Sequence, residues 1–81
     1  MASYSLEIAQ EARGEFETIP FPARRSVNQR VCRLKTEPLP ADAEAVGGEG
    51  RYRLRLAGWV VLYRVRETER RIVVIGYRRD A

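Results

Sequence analysis

The order of apolar and polar residues predicts a strand and two helices in the first half of the chain. Residues 4–8 alternate between apolar and polar side chains, which is typical of a short strand. Apolar residues then recur at spacings of four, four and three, which is the period of one helix face, over about 9–18. Pro20 ends this helix, and Pro22 fits the first turn of a second helix over about 22–35.

The second half of the chain has the two-residue period of strands. The segment RYRLRL at residues 51–56 alternates strictly and predicts a strand that ends at a turn at 57–58. Two further strands are predicted at 59–66 and 71–77, joined by a polar turn. Residues 36–50 contain prolines, glycines and acidic side chains, and they predict a mobile acidic loop.

These elements predict a single α+β domain that spans residues 1–81. An N-terminal strand is followed by an antiparallel hairpin of two helices and then by a three-stranded antiparallel meander. The helices are expected to pack on one face of the sheet, because each layer buries its apolar side against the other.

The positive charge of the chain is concentrated in its last third. The net charge is +4, yet the segment 51–81 alone holds nine arginines against three acidic residues. Lys35 is the one basic residue that is not arginine. Arginine presents a planar fork of donors that matches phosphates and carboxylates. This concentration of positive charge favours a polyanion or an acidic protein as the partner.

The residues that the chain lacks narrow the chemistry. There is no histidine, and Cys32 is the single cysteine, so a disulfide framework and a thiolate metal site are excluded. We therefore expect no metal and no cofactor. No apolar run is long enough to span a bilayer, and the polar N-terminus does not resemble a signal peptide. The simplest expectation is a cytoplasmic protein with no membrane partner.

Three arginines in the predicted strand at 51–56 form the first candidate site. Alternate side chains leave a strand on opposite faces, so Arg51, Arg53 and Arg55 are expected to line the face away from the helices. They would be spaced by about 7 Å, close to the phosphate repeat of an extended single strand of nucleic acid. Each guanidinium can hold a phosphate through two charge-assisted hydrogen bonds. The alternative interpretation is a solvated face whose charges only maintain solubility.

The end of the last strand is the second candidate site. Tyr77 could stack on a base or transfer a proton, and Arg78 and Arg79 could stabilise charge on a phosphate. Arg64, with Arg66, Arg70 and Arg71, adds positive charge near the hairpin turn, where the intervening Glu67 and Glu69 favour a solvated surface. The alternative for this segment is a frayed basic terminus.

The order of these motifs resembles the RelE/ParE superfamily of bacterial toxins over nearly the whole chain. The motifs that carry the resemblance are GRYRLRL at 50–56, GW at 58–59, LYRV at 62–65 and IGYRRD at 75–80. The resemblance implies the toxin of a type II toxin–antitoxin pair, neutralised by a cognate antitoxin protein and associated with functions such as plasmid stabilization. RelE-like members cut mRNA on the ribosome without a metal, by attack of a 2′-hydroxyl on the adjacent phosphate.

The resemblance also assigns roles to individual residues. Arg53 and Arg55 match the basic pair that grips the RNA backbone. Arg78 matches an arginine after the last strand that is a candidate for stabilising the transition state or for donating a proton. Tyr77 replaces the usual histidine, and it is the candidate base. Arg51, Arg64 and Arg79 are the further RNA-binding candidates.

Three departures from the family pattern keep a second function open. Val60 stands where the family has an arginine, Tyr77 stands where it has a histidine, and the chain ends at Ala81, before the position of a catalytic tyrosine in some members. The first hypothesis is a ribosome-dependent endoribonuclease. The alternatives are a ParE-like inhibitor of DNA gyrase that cleaves nothing, a catalytically inactive member, or a nucleic-acid-binding module without toxicity.

Overall fold

The computed structural model describes residues 3–80, so Met1, Ala2 and Ala81 of the predicted domain lie outside the described residues. Within that range the elements follow in the predicted order, with one addition. They are β1 (Ser5–Ile8), α1 (Gln10–Glu17), α2 (Phe21–Cys32), a 3-10 turn (Arg33–Lys35), β2 (Glu44–Ala45), β3 (Arg51–Leu56), β4 (Trp59–Arg66) and β5 (Arg71–Arg79). The α+β class predicted from the sequence is confirmed.

Proline and backbone hydrogen bonds set the helix ends. The backbone N–H and the hydroxyl of Thr18 both donate to the carbonyl of Glu15, which closes the last turn of α1. Pro20 is the N-cap of α2, and Pro22 lies in its first turn. Backbone N–H groups in the first turn have no acceptor within the helix, so the missing N–H of proline costs no hydrogen bond there. The predicted second helix is too long, because α2 ends at Cys32 and tightens into the 3-10 turn.

The strands form one five-stranded sheet within the described residues, in the order β1-β5-β4-β3-β2. β3, β4 and β5 make the predicted antiparallel meander, and β1 joins β5 in parallel. The prediction of a mobile acidic loop over 36–50 is corrected by β2, since Glu44 and Ala45 pair with Arg53 and Tyr52 of β3. Two residues with weak strand propensity give no pattern that could have predicted this edge strand.

The core lies between the helices and one face of the sheet. The helical hairpin, with its connecting turn and the 3-10 turn, contributes five of the buried residues, and the strands of the meander contribute eight: Ala12, Ile19, Val27, Val31, Leu34, Leu54, Trp59, Val61, Tyr63, Val65, Ile72, Val74 and Tyr77. The opposite face of the sheet is not covered by either helix. Within residues 3–80, no helix has the length and apolar character needed to cross a membrane.

A β-bulge in β5 determines which side chains reach that uncovered face. Tyr63 pairs with Val74, whereas its neighbour Leu62 pairs with Gly76, so Ile75 is an extra residue in the ladder. The extra residue reverses the alternation in the rest of the strand. As a result Tyr77 turns toward the helices.

Candidate nucleic-acid interface

The uncovered face of the sheet carries the arginines of β3. Leu54 is fully buried against the core, so its neighbours Arg53 and Arg55 lie on the opposite face, as does Arg51. This confirms the predicted orientation of the strand. We call this side of the sheet, which also carries Val60, Leu62, Arg64 and Arg78, the arginine face.

The bulge brings Arg78 of β5 to the same face. Val60 of β4 pairs with Arg55 on one side and with Arg78 on the other. The backbones of the two arginines are therefore two strand spacings apart, or about 10 Å. Val60 stands where the family resemblance expects an arginine, so an apolar side chain lies between Arg55 and Arg78.

Each arginine at this end of the face has a carboxylate neighbour. The Nε of Arg53 donates to Glu44 Oε1 at 2.7 Å, and the Nε of Arg55 lies 3.9 Å from Asp80 Oδ1. The hydrogen bond and charge of Arg53, with the charge of Arg55, lower the pKa of Glu44. These groups are exposed, so the pairs hold little free energy and can be exchanged for another anion.

The carboxylate beside Arg78 is more tightly held. Glu15 accepts a hydrogen bond from the backbone N–H of Tyr77 at 3.0 Å through Oε1, and it pairs with Arg78 Nη1 through Oε2. Desolvation by itself would raise the pKa of Glu15. The hydrogen bonds from Tyr77 and Arg78, with the charge of Arg78, outweigh that effect and lower the pKa below its ordinary value.

Two predicted site residues lie on the other side of the sheet, which corrects the expected grouping. Tyr77 is 4% exposed, and its ring packs against Phe16 with 5.2 Å between centroids. Burial, with a smaller effect of Cys32, raises the pKa of its hydroxyl to about 12. Arg79 places its guanidinium 5.4 Å from the centre of the Trp59 ring. Neither side chain joins Arg53, Arg55 and Arg78.

Arg64 extends the arginine face toward the other end of the sheet. It is the cross-strand neighbour of Arg51 and is half-buried. Its Nε is buried and has no hydrogen-bond partner among the described residues. The sequence suggested only extra charge near the hairpin turn, whereas the structure pairs Arg64 with Arg51 of β3.

Sequence reasoning missed the acidic residues of the site. Glu15 and Arg78 are 63 positions apart, and Glu44 lies in the segment predicted to be a mobile loop. Their positions depend on how α1 and β2 flank the sheet, which no local pattern records. Asp80 follows the last arginine directly, but its proximity to Arg55 depends on the register of three strands.

This geometry defines a class of protein: a small α+β domain with two helices on one face of its sheet and arginines on the other. Solved structures with this fold are found among RelE toxins. The isolated E. coli RelE toxin matches with a TM-score of 0.87 and 17% identity, over 98% of this chain and 86% of that chain. A chain of the archaeal RelE–RelB complex from Pyrococcus horikoshii matches with a TM-score of 0.87 and 22% identity, over 98% and 97%.

A third match gives the same result. A chain of the RelBE2 toxin–antitoxin complex of Mycobacterium tuberculosis has a TM-score of 0.83 and 20% identity, over 95% of this chain and 98% of that chain. No protein-family model matches the sequence, and no curated protein matches it significantly. At these identities the likeness concerns the fold. The chain has the fold of the RelE toxins, and the resemblance predicted from the motifs is confirmed at that level.

Proposed function

We propose that the protein is the toxin of a type II toxin–antitoxin pair and that it cleaves mRNA on the ribosome. The observation that carries the proposal is the convergence of Arg53 and Arg55 of β3 with Arg78 of β5 on one uncovered sheet face. The RelE fold supports it, because proteins called RelE toxins share this arrangement of sheet and helices.

In the proposed reaction the arginines bind and stabilise a phosphate of the message. Arg53 and Arg55 would hold successive phosphates along β3, with Arg51 and Arg64 continuing the basic surface. The ribose 2′-hydroxyl loses its proton to water and its oxygen forms a bond to the adjacent phosphorus. The bond to the 5′-oxygen breaks and this oxygen takes up a proton from water, which gives a 2′,3′-cyclic phosphate and a 5′-hydroxyl. Arg78 would stabilise the charge that develops on the phosphate. This role needs no metal and no cofactor.

The proposed partners follow from the same surface. The ribosome would present the message in an extended form, and a cognate antitoxin would neutralise the toxin. An antitoxin segment with acidic side chains would suit the arginine face, since three carboxylates of the chain already occupy neighbouring positions there. Such a protein would act in the cytoplasm.

One observation favours inhibition of DNA gyrase as the second candidate. Val60 places an apolar side chain between Arg55 and Arg78, where the family resemblance expects an arginine. The chain has no histidine, and Tyr77 faces the helices, so neither supplies a base on the arginine face. A toxin that binds without cleaving RNA would not need one. Inhibition of gyrase-catalysed supercoiling with an intact message would support this candidate.

A double substitution on the arginine face tests the proposal. Arg53→Ala with Arg55→Ala removes two phosphate-binding groups, so cleavage of ribosome-bound mRNA should fall by about a hundredfold or more, and growth arrest should be relieved. The matched control is Arg25→Ala with Arg33→Ala, which removes the same charge from exposed positions on the helical side. The control should retain cleavage.

Thermal unfolding separates a local effect from a loss of fold. Both double variants should unfold near the wild-type temperature, because all four side chains lie outside the buried core. Persistent cleavage by the folded Arg53/Arg55 variant would contradict the assignment of the arginine face.

A further inference from the structure

We propose that Glu15 of α1 is a positioning residue that holds Arg78 for reaction with the message. The inference rests on the proposed function, and it adds a residue to the site that lies on a helix rather than on the arginine face. Glu15 would not touch the RNA. It would act by fixing one edge of the Arg78 guanidinium.

The first argument is that the two oxygens of the Glu15 carboxylate bind different partners. Oε1 accepts the backbone N–H of Tyr77 at 3.0 Å, and Oε2 pairs with Arg78 Nη1. β1 ends at Ile8, opposite Val74, so the β5 edge beyond that point lacks a neighbouring strand. Glu15 satisfies a donor of this open edge, and the bond to a fixed backbone atom orients the carboxylate toward Arg78.

The second argument is which edge of Arg78 remains available. Its hydrogen bonds to other described groups run through Nη1, to Glu15 and to the carbonyl of Tyr77 at 3.3 Å. Nε and Nη2 form the other edge of the planar fork, which can bind two oxygens of one phosphate. The Arg78 side chain is 55% exposed, so this edge is accessible.

The third argument is the space that Gly76 leaves for the pair. A Cβ at this position would lie 2.9 Å from Arg78 Nη1 and 3.2 Å from Glu15 Oε1. Any larger residue would therefore displace the ion pair. The open face at Gly76 is the route by which a carboxylate on α1 reaches an arginine on β5.

Glu44 provides the contrast that separates positioning from simple charge pairing. It pairs with Arg53 through a single exposed contact, and its oxygens receive no backbone N–H among the described hydrogen bonds. Removing the Glu44 carboxylate should only free Arg53 for a phosphate. Removing the Glu15 carboxylate should also release the Arg78 guanidinium, which Glu15 otherwise holds in one orientation.

The decisive variant is Glu15→Gln. The amide oxygen can still accept the N–H of Tyr77, whereas the amide nitrogen is a donor and cannot accept from Arg78. The strand edge remains satisfied and Arg78 is released. We expect the single-turnover cleavage rate at saturating toxin to fall by about ten- to a hundredfold, with little change in the half-saturating concentration.

Two further variants assign the effect to Arg78. Glu15→Gln combined with Arg78→Ala should cleave no more slowly than Arg78→Ala alone, because Glu15 acts through Arg78. Glu44→Gln makes the same change of charge and should lower the half-saturating concentration without lowering the saturated rate. Equal effects of Glu15→Gln and Glu44→Gln on both quantities would overturn the inference.

NMR of the arginine side-chain nitrogens provides a readout that does not depend on cleavage. In the wild-type protein the Nη signals of Arg78 should show slowed rotation of the guanidinium, and Glu15→Gln should abolish this slowing. If the wild type cleaves and Glu15→Gln keeps the full saturated rate, the inference fails and the proposed function stands. If the wild type does not cleave, the proposed function fails and the catalytic role of Glu15 fails with it, even if NMR detects the contact.

Discussion

The single residue Ile75 decides which side chains of β5 face the arginines. Strict alternation from the buried residue Val74 would point Tyr77 to the uncovered face and Arg78 to the core. The bulge at Ile75 reverses that outcome, and Gly76, which follows it, leaves room beside Glu15 and Arg78. The sequence predicted Tyr77 and Arg78 together because both belong to one motif. A bulge depends on the register with β4, which the sequence of β5 alone does not specify.

Substitution of Tyr77 tests whether its hydroxyl takes part in catalysis. Its hydroxyl has a pKa of about 12 and the side chain packs under the sheet against Phe16, so it stays protonated at neutral pH and lies away from Arg53. Tyr77→Phe should therefore keep the saturated cleavage rate within about threefold of wild type. If Tyr77 were the general base, its loss would lower the rate by about 10²–10⁴-fold. Quench-flow measurement of cleavage on programmed ribosomes checks this. A fall of a hundredfold in a variant with native unfolding temperature would return Tyr77 to the catalytic group.

The sequence predicted β3 most completely, and it predicted the segment 36–50 before that strand least completely. The alternation of RYRLRL determines both the strand and its arginine face, because a buried leucine between arginines leaves one orientation. β2 escaped prediction, since its pairing with β3 depends on the path of the chain and not on its own residues. The carbonyl of Pro38 accepts a hydrogen bond from the hydroxyl of Tyr63 at 2.9 Å. This bond holds the segment before β2 against the buried side of β4.

Gly50, at the entrance to β3, should be more sensitive to substitution than Gly58 at its exit. Both have positive φ, +70° and +81°, so alanine is strained at either position by about 1–2 kcal/mol. A Cβ at Gly50 would also lie 2.9 Å from the carbonyl oxygen of Val65, whereas nothing lies within 4 Å at Gly58. Overpacking against backbone should cost about 1–3 kcal/mol more. Urea unfolding of Gly50→Ala and Gly58→Ala tests this, and equal losses of stability would contradict it.

The whole molecule combines an apolar layer that the sequence predicted well with a charged layer that it predicted in part. The segment after residue 50 indicated the basic surface, and the structure places its β3 arginines and Arg78 on one face. The acidic partners come from α1, β2 and the end of β5, so they are brought to the arginines only by the assembled fold. The motif order was sufficient for the RelE fold, because each motif marks a strand of the meander.

Mapping mRNA breaks during translation tests directly whether the protein is a ribosome-dependent endoribonuclease. Purified protein is added to a cell-free translation extract, and primer extension maps breaks in one mRNA, with and without ribosomes. We predict new stops inside codons that require ribosomes and disappear in the Arg53/Arg55 double variant. An intact message with translation unaffected would contradict the claim, and inhibition of gyrase in a parallel supercoiling assay would then favour the second candidate.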